Sequence, residues 1–262
     1  MVTNFKPDVL VLSELMISES MVKGRLQQLH FYNVYMVPAE GCSGGFCVAW
    51  KDGVDIEPHY CSKNLISCVV YSDPPGMPWS FSAVYGPPHA SAQRSFWQSI
   101  PRVLERAPDA KLLIGDFNGV LLDCESWSNA NAHGGFASSS GAMRHCFATM
   151  GLYDLGFSDP QFTWNRRRGG VLFSRARLDR AVATVEWGNC FPRALVKNIA
   201  DSVSDHCPIV LDTNGGSEEG FKPFRYEAMW VRDIRSHWIV RVAWKLASHF
   251  PHARPIFPMR GS

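Results

Sequence analysis

The sequence predicts an α/β protein whose sheets pack face to face and are flanked by helices. Three observations carry that expectation. Short apolar runs recur through the first 212 residues, separated by Gly, Pro, Asp and Asn, which is the punctuation of strands. A few segments with helical spacing interrupt them. Hydrophobic residues are 46% and charged residues 19% of 262, a globular balance in a chain long enough to bury a core without disulfides.

Residues 9–12, Val-Leu-Val-Leu, are the first continuous apolar run and suit a buried strand, with Ser13 and Glu14 directly after it. Residues 18–29 suit a short helix. Runs at 34–37, 45–50, 54–59, 65–71 and 79–85 read as a strand meander. Residues 91–106 place Phe96, Trp97, Ile100, Val103 and Leu104 on one helical face, and Pro101 is expected to kink or restart that helix. A strand at 111–114 runs into Gly115-Asp116-Phe117-Asn118. Residues 123–138, polar and Gly-rich, read as a surface loop. Ser139 or Ser140 caps a helix to Met150, in which Met143, Cys146, Phe147 and Met150 follow helical spacing and Gly151 suits the stop. Strand-like pieces at 161–165, 171–174, 176–183, 194–199 and 208–212 complete the series, with a short helix at 184–190. Residues 1–213 read as one domain, and 214–262 as a linker and a stump rich in Trp, Arg and His.

The net charge of +2 neither demands nor excludes nucleic acid. None of the eight cysteines has CxxC or zinc-finger spacing, so they are expected to be buried free thiols in a reducing compartment. No apolar run approaches bilayer length and the first residues have no signal-peptide core. The chain therefore reads as soluble and intracellular, with no membrane partner.

Chemistry gathers at strand ends. Glu14 follows one strand, and Asp116 and Asn118 follow another. Asp205 and His206 precede a third, and Asp179 lies in Arg177-Leu178-Asp179-Arg180. Carboxylates collected in this way suit a hard divalent cation, and Asn and His beside them suit phosphate chemistry. Each is bland alone. Gly-Asp-Phe-Asn is equally an Asx turn, and Asp179 between two arginines is equally a surface ion pair. His30, His59, His89, His133 and His145 match no motif and read as surface or structural.

The order of motifs resembles the endonuclease/exonuclease/phosphatase superfamily, and in particular its plant non-LTR (LINE-type) retrotransposon branch. The matching segments begin with Pro7 to Glu14, then Gly41-Cys42-Ser43-Gly44-Gly45 leading to Trp50. Val84-Tyr85-Gly86-Pro87, Leu113 to Asn118 and Leu152 to Phe157 come next. Phe162-Thr163-Trp164, Arg177 to Arg180, Ser204-Asp205-His206 and Pro223 to Trp230 complete the set. They cover roughly residues 5–235.

The resemblance implies a four-layered α/β sandwich of two mixed β-sheets flanked by helices, DNase-I-like. It implies hydrolysis of a DNA phosphodiester with magnesium, or manganese in its place. Glu14 would bind the metal and Asp205 would lie near it. Asp116 would orient or deprotonate the attacking water, which Asn118 would help to hold. Tyr85 would donate to the phosphate, and His206, oriented by Asp179, would stabilise the transition state. Arg166, Arg167 and Arg168, with Gly169-Gly170, look like a hairpin tip that could meet the DNA backbone or groove, or an ordinary solvated basic turn. The family's location is nuclear, and its full-length elements carry a reverse transcriptase domain after the segment matching Pro223 to Trp230. Family members begin with a strand ending in Trp-Asn-x-Arg-Gly, which has no counterpart here. The expectation is a chain truncated at both ends, lacking a first strand and impaired in activity. The competing readings are a catalytically inactive transposon relic and another phosphodiesterase or phosphatase of the superfamily.

Overall fold

A computed structural model of the chain describes residues 2–38, 44–128, 140–158, 160–200 and 204–215. Residues 1–218 form one unit and 219–262 a second, which lies outside the described residues. The expectations for residues 41–43, 129–138 and 216–262, including the segment Pro223 to Trp230, therefore also lie outside them.

The elements in chain order are α1 (Val2–Phe5), β1 (Val9–Leu15), α2 (Glu19–Gln28), β2 (Asn33–Val37), β3 (Gly45–Trp50), β4 (Ile56–Ser62), β5 (Leu65–Val70) and β6 (Trp79–Tyr85). Then come α3 (Ala90–Val103), β7 (Lys111–Asp116), a 3-10 turn at Asp123–Glu125, β8 (Ser126–Ser128), α4 (Ser140–Met150) and β9 (Tyr153–Asp154). Last are β10 (Trp164–Arg168), β11 (Val171–Ala176), β12 (Asp179–Ala183), α5 (Val185–Cys190), β13 (Leu195–Asn198) and β14 (Ile209–Asp212).

A six-stranded sheet, order β4-β5-β6-β7-β12-β9, forms the centre, with β6 and β7 parallel and the other pairs antiparallel. Strand side chains alternate between faces, so each strand serves two cores. Leu65, Val84, Leu113 and Val182 meet Trp97 and Ile100 of α3, Leu104 just after it, and Met143 and Phe147 of α4. Ile66, Cys68, Phe81, Ala83, Leu112 and Ala181 face the other way, onto Phe46 and Val48 of β3, Val196 of β13 and Trp187 of α5. The far side of the β1-β3-β2 sheet presents Leu10, Cys47 and Ala49 to Val22 and Leu26 of α2. The sequence of layers is helices, sheet, sheet, helix, the sandwich expected.

Details depart from expectation for identifiable reasons. Two sheets were expected, and among the described residues the hydrogen bonding divides into four: β13 and β14 pair by themselves, and β10, β11 and β8 make a small separate sheet. The run 176–183 breaks between β11 and β12, where the Arg177 N–H follows the β8 register and donates to Glu125 O at 2.8 Å while the chain from Asp179 on pairs with β7 instead. The strand expected at 161–165 begins instead at Trp164 and takes in all three arginines up to Arg168. The polar stretch from residue 123 opens with a turn and a strand rather than a loop, because Glu125 turns inward and is buried. Pro101 sits in the last turn of α3, where its missing N–H removes a bond to the preceding turn, and the helix ends at Val103 without restarting. Of the described cysteines, all free, Cys47, Cys68, Cys146 and Cys207 are buried, while Cys61 and Cys124 are exposed.

Candidate active site

Three neighbouring strands of the central sheet each end or begin with a functional side chain. β6 ends at Tyr85, β7 at Asp116, and β12 begins at Asp179. In the register Tyr85 and Asp179 both stand opposite Asp116, from the two sides of β7. Carboxylates placed directly opposite repel, so Asp116 and Asp179 are costly for folding and need another reason to be there. Two glycines permit the close approach. A Cβ at Gly86 would collide with Phe117 O, and one at Gly115, whose φ is +141°, with Val84 O.

Asn118 follows Asp116 in the left-handed region, φ +47°. Its backbone N–H donates to Asp116 Oδ1 at 2.8 Å, and its Nδ2 donates to Asp116 Oδ2 at 3.0 Å and to Gly86 O at 2.8 Å. Gln93 of α3, itself buried, donates to Asn118 O and to Pro87 O. Asn118 is thus a clamp on the Asp116 carboxylate.

Glu14 reaches this row from the other sheet. Its φ of +58° is unusual for a glutamate and places it in an irregularity of the β1 register between Leu12 and Leu15. Gly44 makes the bend tolerable, since a Cβ there would lie 2.6 Å from the Glu14 backbone. Tyr85 Oη donates to Glu14 Oε1 at 2.9 Å. Backbone strain of this kind costs on the order of 1–3 kcal/mol and gathers at working sites.

His206 completes the row. Its Nδ1 lies 2.9 Å from Asp179 Oδ2, which turns Nε2 away from Asp179. Asp205 is exposed, and its Oδ2 accepts from Trp164 Nε1 at 3.2 Å. Glu14, Tyr85, Asp116, Asn118, Asp179 and His206 therefore form one linked series, with Asp205 at its flank. Arg166 and Arg167 are exposed on β10, whose first residue Trp164 bridges to His206, and Gly169 and Gly170 make the turn beyond them with φ +55° and +80°.

The electrostatics follow from burial and crowding. Burial, then the Asp179 charge, raise the Asp116 carboxyl; His206 and the Asn118 N–H oppose this and Glu14 adds to it, leaving it at about 7. Burial pulls His206 down, but the hydrogen bond and charge of Asp179, with Asp116 and Asp205, outweigh it and raise the imidazole to about 9. Burial and the bond to Glu14 push the Tyr85 hydroxyl up, so it stays a donor.

Among the described residues, Asp116, Asp179 and His206 bring ligand atoms within 4.8 Å of one another. Asp179 and His206 already bond to each other, so this trio is a dyad beside a carboxylate more than a ready coordination shell. Glu14, Asp116 and Asp205 each offer carboxylate oxygen, the donor type a hard cation takes, and the upward push on Asp116 is an excess of negative charge that a cation would relieve. In donor type these residues suit a divalent metal.

Behind the row lies a cluster that sequence reasoning missed. Arg177 and Arg180, read from sequence as the other half of a surface ion pair with Asp179, are buried. Arg177 pairs with Glu125 at 3.0 Å and Asp154 at 2.7 Å, and Arg180 pairs with both at 3.0 Å. Burial alone would raise Glu125 and Asp154, but the two arginines hold both below the usual carboxylate range. Asp179, between those arginines in sequence, belongs to His206 instead. Only the density of Arg at 177 and 180 beside an Asp hinted at such a network. Gln93 was detectable, since it interrupts the apolar face that continues through Trp97, Ile100 and Leu104.

No family model matches the chain, and no curated protein matches it. Solved structures do. The endonuclease domain of TRAS1, a telomere-specific non-LTR retrotransposon, superposes with a TM-score of 0.57 at 15% identity, over 79% of this chain and 98% of that one. The 3′ phosphatase NExo from Neisseria, bound to a product DNA hairpin, gives 0.58 at 15% identity over 80% and 90%. A truncated Caenorhabditis elegans TDP2 gives 0.50 at 16% identity over 79% and 85%. In fold, the chain is similar to a retrotransposon endonuclease domain and to a phosphatase that holds DNA.

Proposed function

We propose that this chain is a divalent-cation-dependent DNA endonuclease of LINE-type retrotransposon origin, which nicks one strand by phosphodiester hydrolysis. The observation that carries the reading is the linked row Glu14, Tyr85, Asp116, Asp179 and His206, in which Tyr85, Asp116 and Asp179 stand at adjoining strand ends. Glu14 would hold the cation, with Asp205 flanking it. When bound, a magnesium ion supplies Lewis-acid neutralisation of the phosphate. Asp116, poised near neutrality and clamped by Asn118, takes the proton of the attacking water. His206 is a cation at neutral pH because Asp179 holds it, so it faces the phosphate oxygens as a charge stabiliser. Tyr85 keeps its proton and donates it in a hydrogen bond. Arg166, Arg167 and Arg168 on the adjoining hairpin would take the DNA backbone.

Four substrates tested side by side, with magnesium and with EDTA, check this reading: supercoiled plasmid, single-stranded RNA, an inositol phosphate and a 3′-phosphorylated DNA hairpin. The expected outcome is open-circular plasmid, abolished by EDTA, with little turnover of the others. Faster release of phosphate from the inositol phosphate or the hairpin would replace the endonuclease by a phosphatase.

A further inference from the structure

Phe162-Thr163-Trp164 is a motif that none of the roles above uses. Thr163 is fully buried, with 0% of its surface exposed. Its Oγ1 accepts two successive backbone N–H groups, Leu178 at 3.0 Å and Asp179 at 2.9 Å. Its own N–H donates to Ala176 O at 3.0 Å, and its carbonyl accepts from the N–H of Cys207 at 2.6 Å. Trp164, the next residue, bridges to His206 by backbone pairing, and its indole donates to Asp205.

Asp179 and His206 are remote in sequence, yet they are fastened to adjacent residues, Asp179 to Thr163 and His206 to Trp164. The Thr163 hydroxyl fixes the backbone of Asp179 just where β11 has ended and β12 begins. The Thr163 carbonyl fixes the residue after His206. A hydroxyl oxygen has two lone pairs, and both are spent on this one turn. Valine has the same shape and neither lone pair.

We propose that Thr163 is a positioning residue that sets the Asp179–His206 hydrogen bond. The kinetic part of this inference rests on the endonuclease reading above; the structural part does not. A group that orients a catalytic histidine's partner typically changes activity by about 10- to 100-fold when lost.

The test compares Thr163→Val and Thr163→Ser with the parent, and with Leu104→Ala, a buried change under α3 remote from the row. Three readouts are taken: plasmid nicking with magnesium, the thermal midpoint, and the NMR signal of the His206 Nδ1 proton. Thr163→Val is expected to lower kcat about 10- to 100-fold with KM unchanged, and to weaken or shift the Nδ1 proton signal. Thr163→Ser is expected to restore both. Leu104→Ala is expected to lower the thermal midpoint while leaving kcat and the signal in place. If Thr163→Val does not melt cooperatively, Thr163→Cys, a weaker acceptor with the shape of serine, takes its place with the same expectations. The inference is overturned if the variant keeps its kcat and Nδ1 signal, if it loses no more than Leu104→Ala, or if serine fails to restore them. Should the parent itself not nick, the endonuclease reading falls, and the Nδ1 signal alone still decides the role of Thr163.

Discussion

Asp116 is the residue at which folding and function disagree most. It is buried opposite Asp179, and its folded pKa is raised to about 7 from an ordinary 3.8. The native state therefore holds a proton that the unfolded chain has released. Stability from this group is fully present below the unfolded value and is lost as pH rises through about 7. Asp116→Asn should accordingly melt higher than the parent at pH 8 in EDTA, by roughly 2–4 °C per kcal/mol regained. The gap should close near pH 4, and an unchanged midpoint at pH 8 would contradict the electrostatic account. The same two residues predict the pH dependence of nicking. Rate should rise as Asp116 loses its proton, with a midpoint at or below about 7 since a bound cation favours the carboxylate, and fall as His206 loses its own at about 9. Asp179→Asn should move the alkaline limb to lower pH.

At the scale of elements, the buried quartet joins β12, β9, the Asp123–Glu125 turn and the break between β11 and β12. Removing one member strands charges that water cannot reach. Arg180→Ala should cost about 3–5 kcal/mol, a large part of the stability of any domain. A thermal midpoint within a degree or two of the parent would show the network to be slack. Glu125 and Asp154 are held low, so their contribution is present above the unfolded carboxylate values and is lost as pH falls through the folded ones. The β10–β11 hairpin makes a different claim. Arg166→Ala with Arg167→Ala should weaken plasmid binding across sequences and reduce its logarithmic salt dependence by about 1 for each phosphate no longer neutralised. An unchanged slope would return these arginines to the status of a solvated basic turn.

For the whole molecule, local pattern and long-range pairing divide the legibility of the sequence. The faces of α3 and α4, the strand begun by residues 9–12 (though it runs on to Leu15 and takes in Glu14) and the strands at Gly45–Trp50 and Trp79–Tyr85 were readable, because apolar periodicity reports burial directly. Glu14, Asp116, Asn118 and His206 were readable as polar residues beside apolar runs. The quartet was not, since Glu125, Asp154, Arg177 and Arg180 are far apart in sequence and each looks like a surface charge alone. Nor was the Thr163 turn, whose meaning depends on two N–H groups fifteen and sixteen residues away. Ser126–Ser128 has no alternation to mark it as a strand, so the polar stretch around it read as loop.

Nicking of supercoiled plasmid in magnesium by this chain, beside Glu14→Ala and His206→Ala, tests whether the linked row hydrolyses DNA, after circular dichroism shows that all three fold. Open-circular plasmid is expected from the parent, and at least about 100-fold less from either variant. A folded parent that leaves the plasmid supercoiled, or variants that nick as fast as the parent, would contradict that expectation.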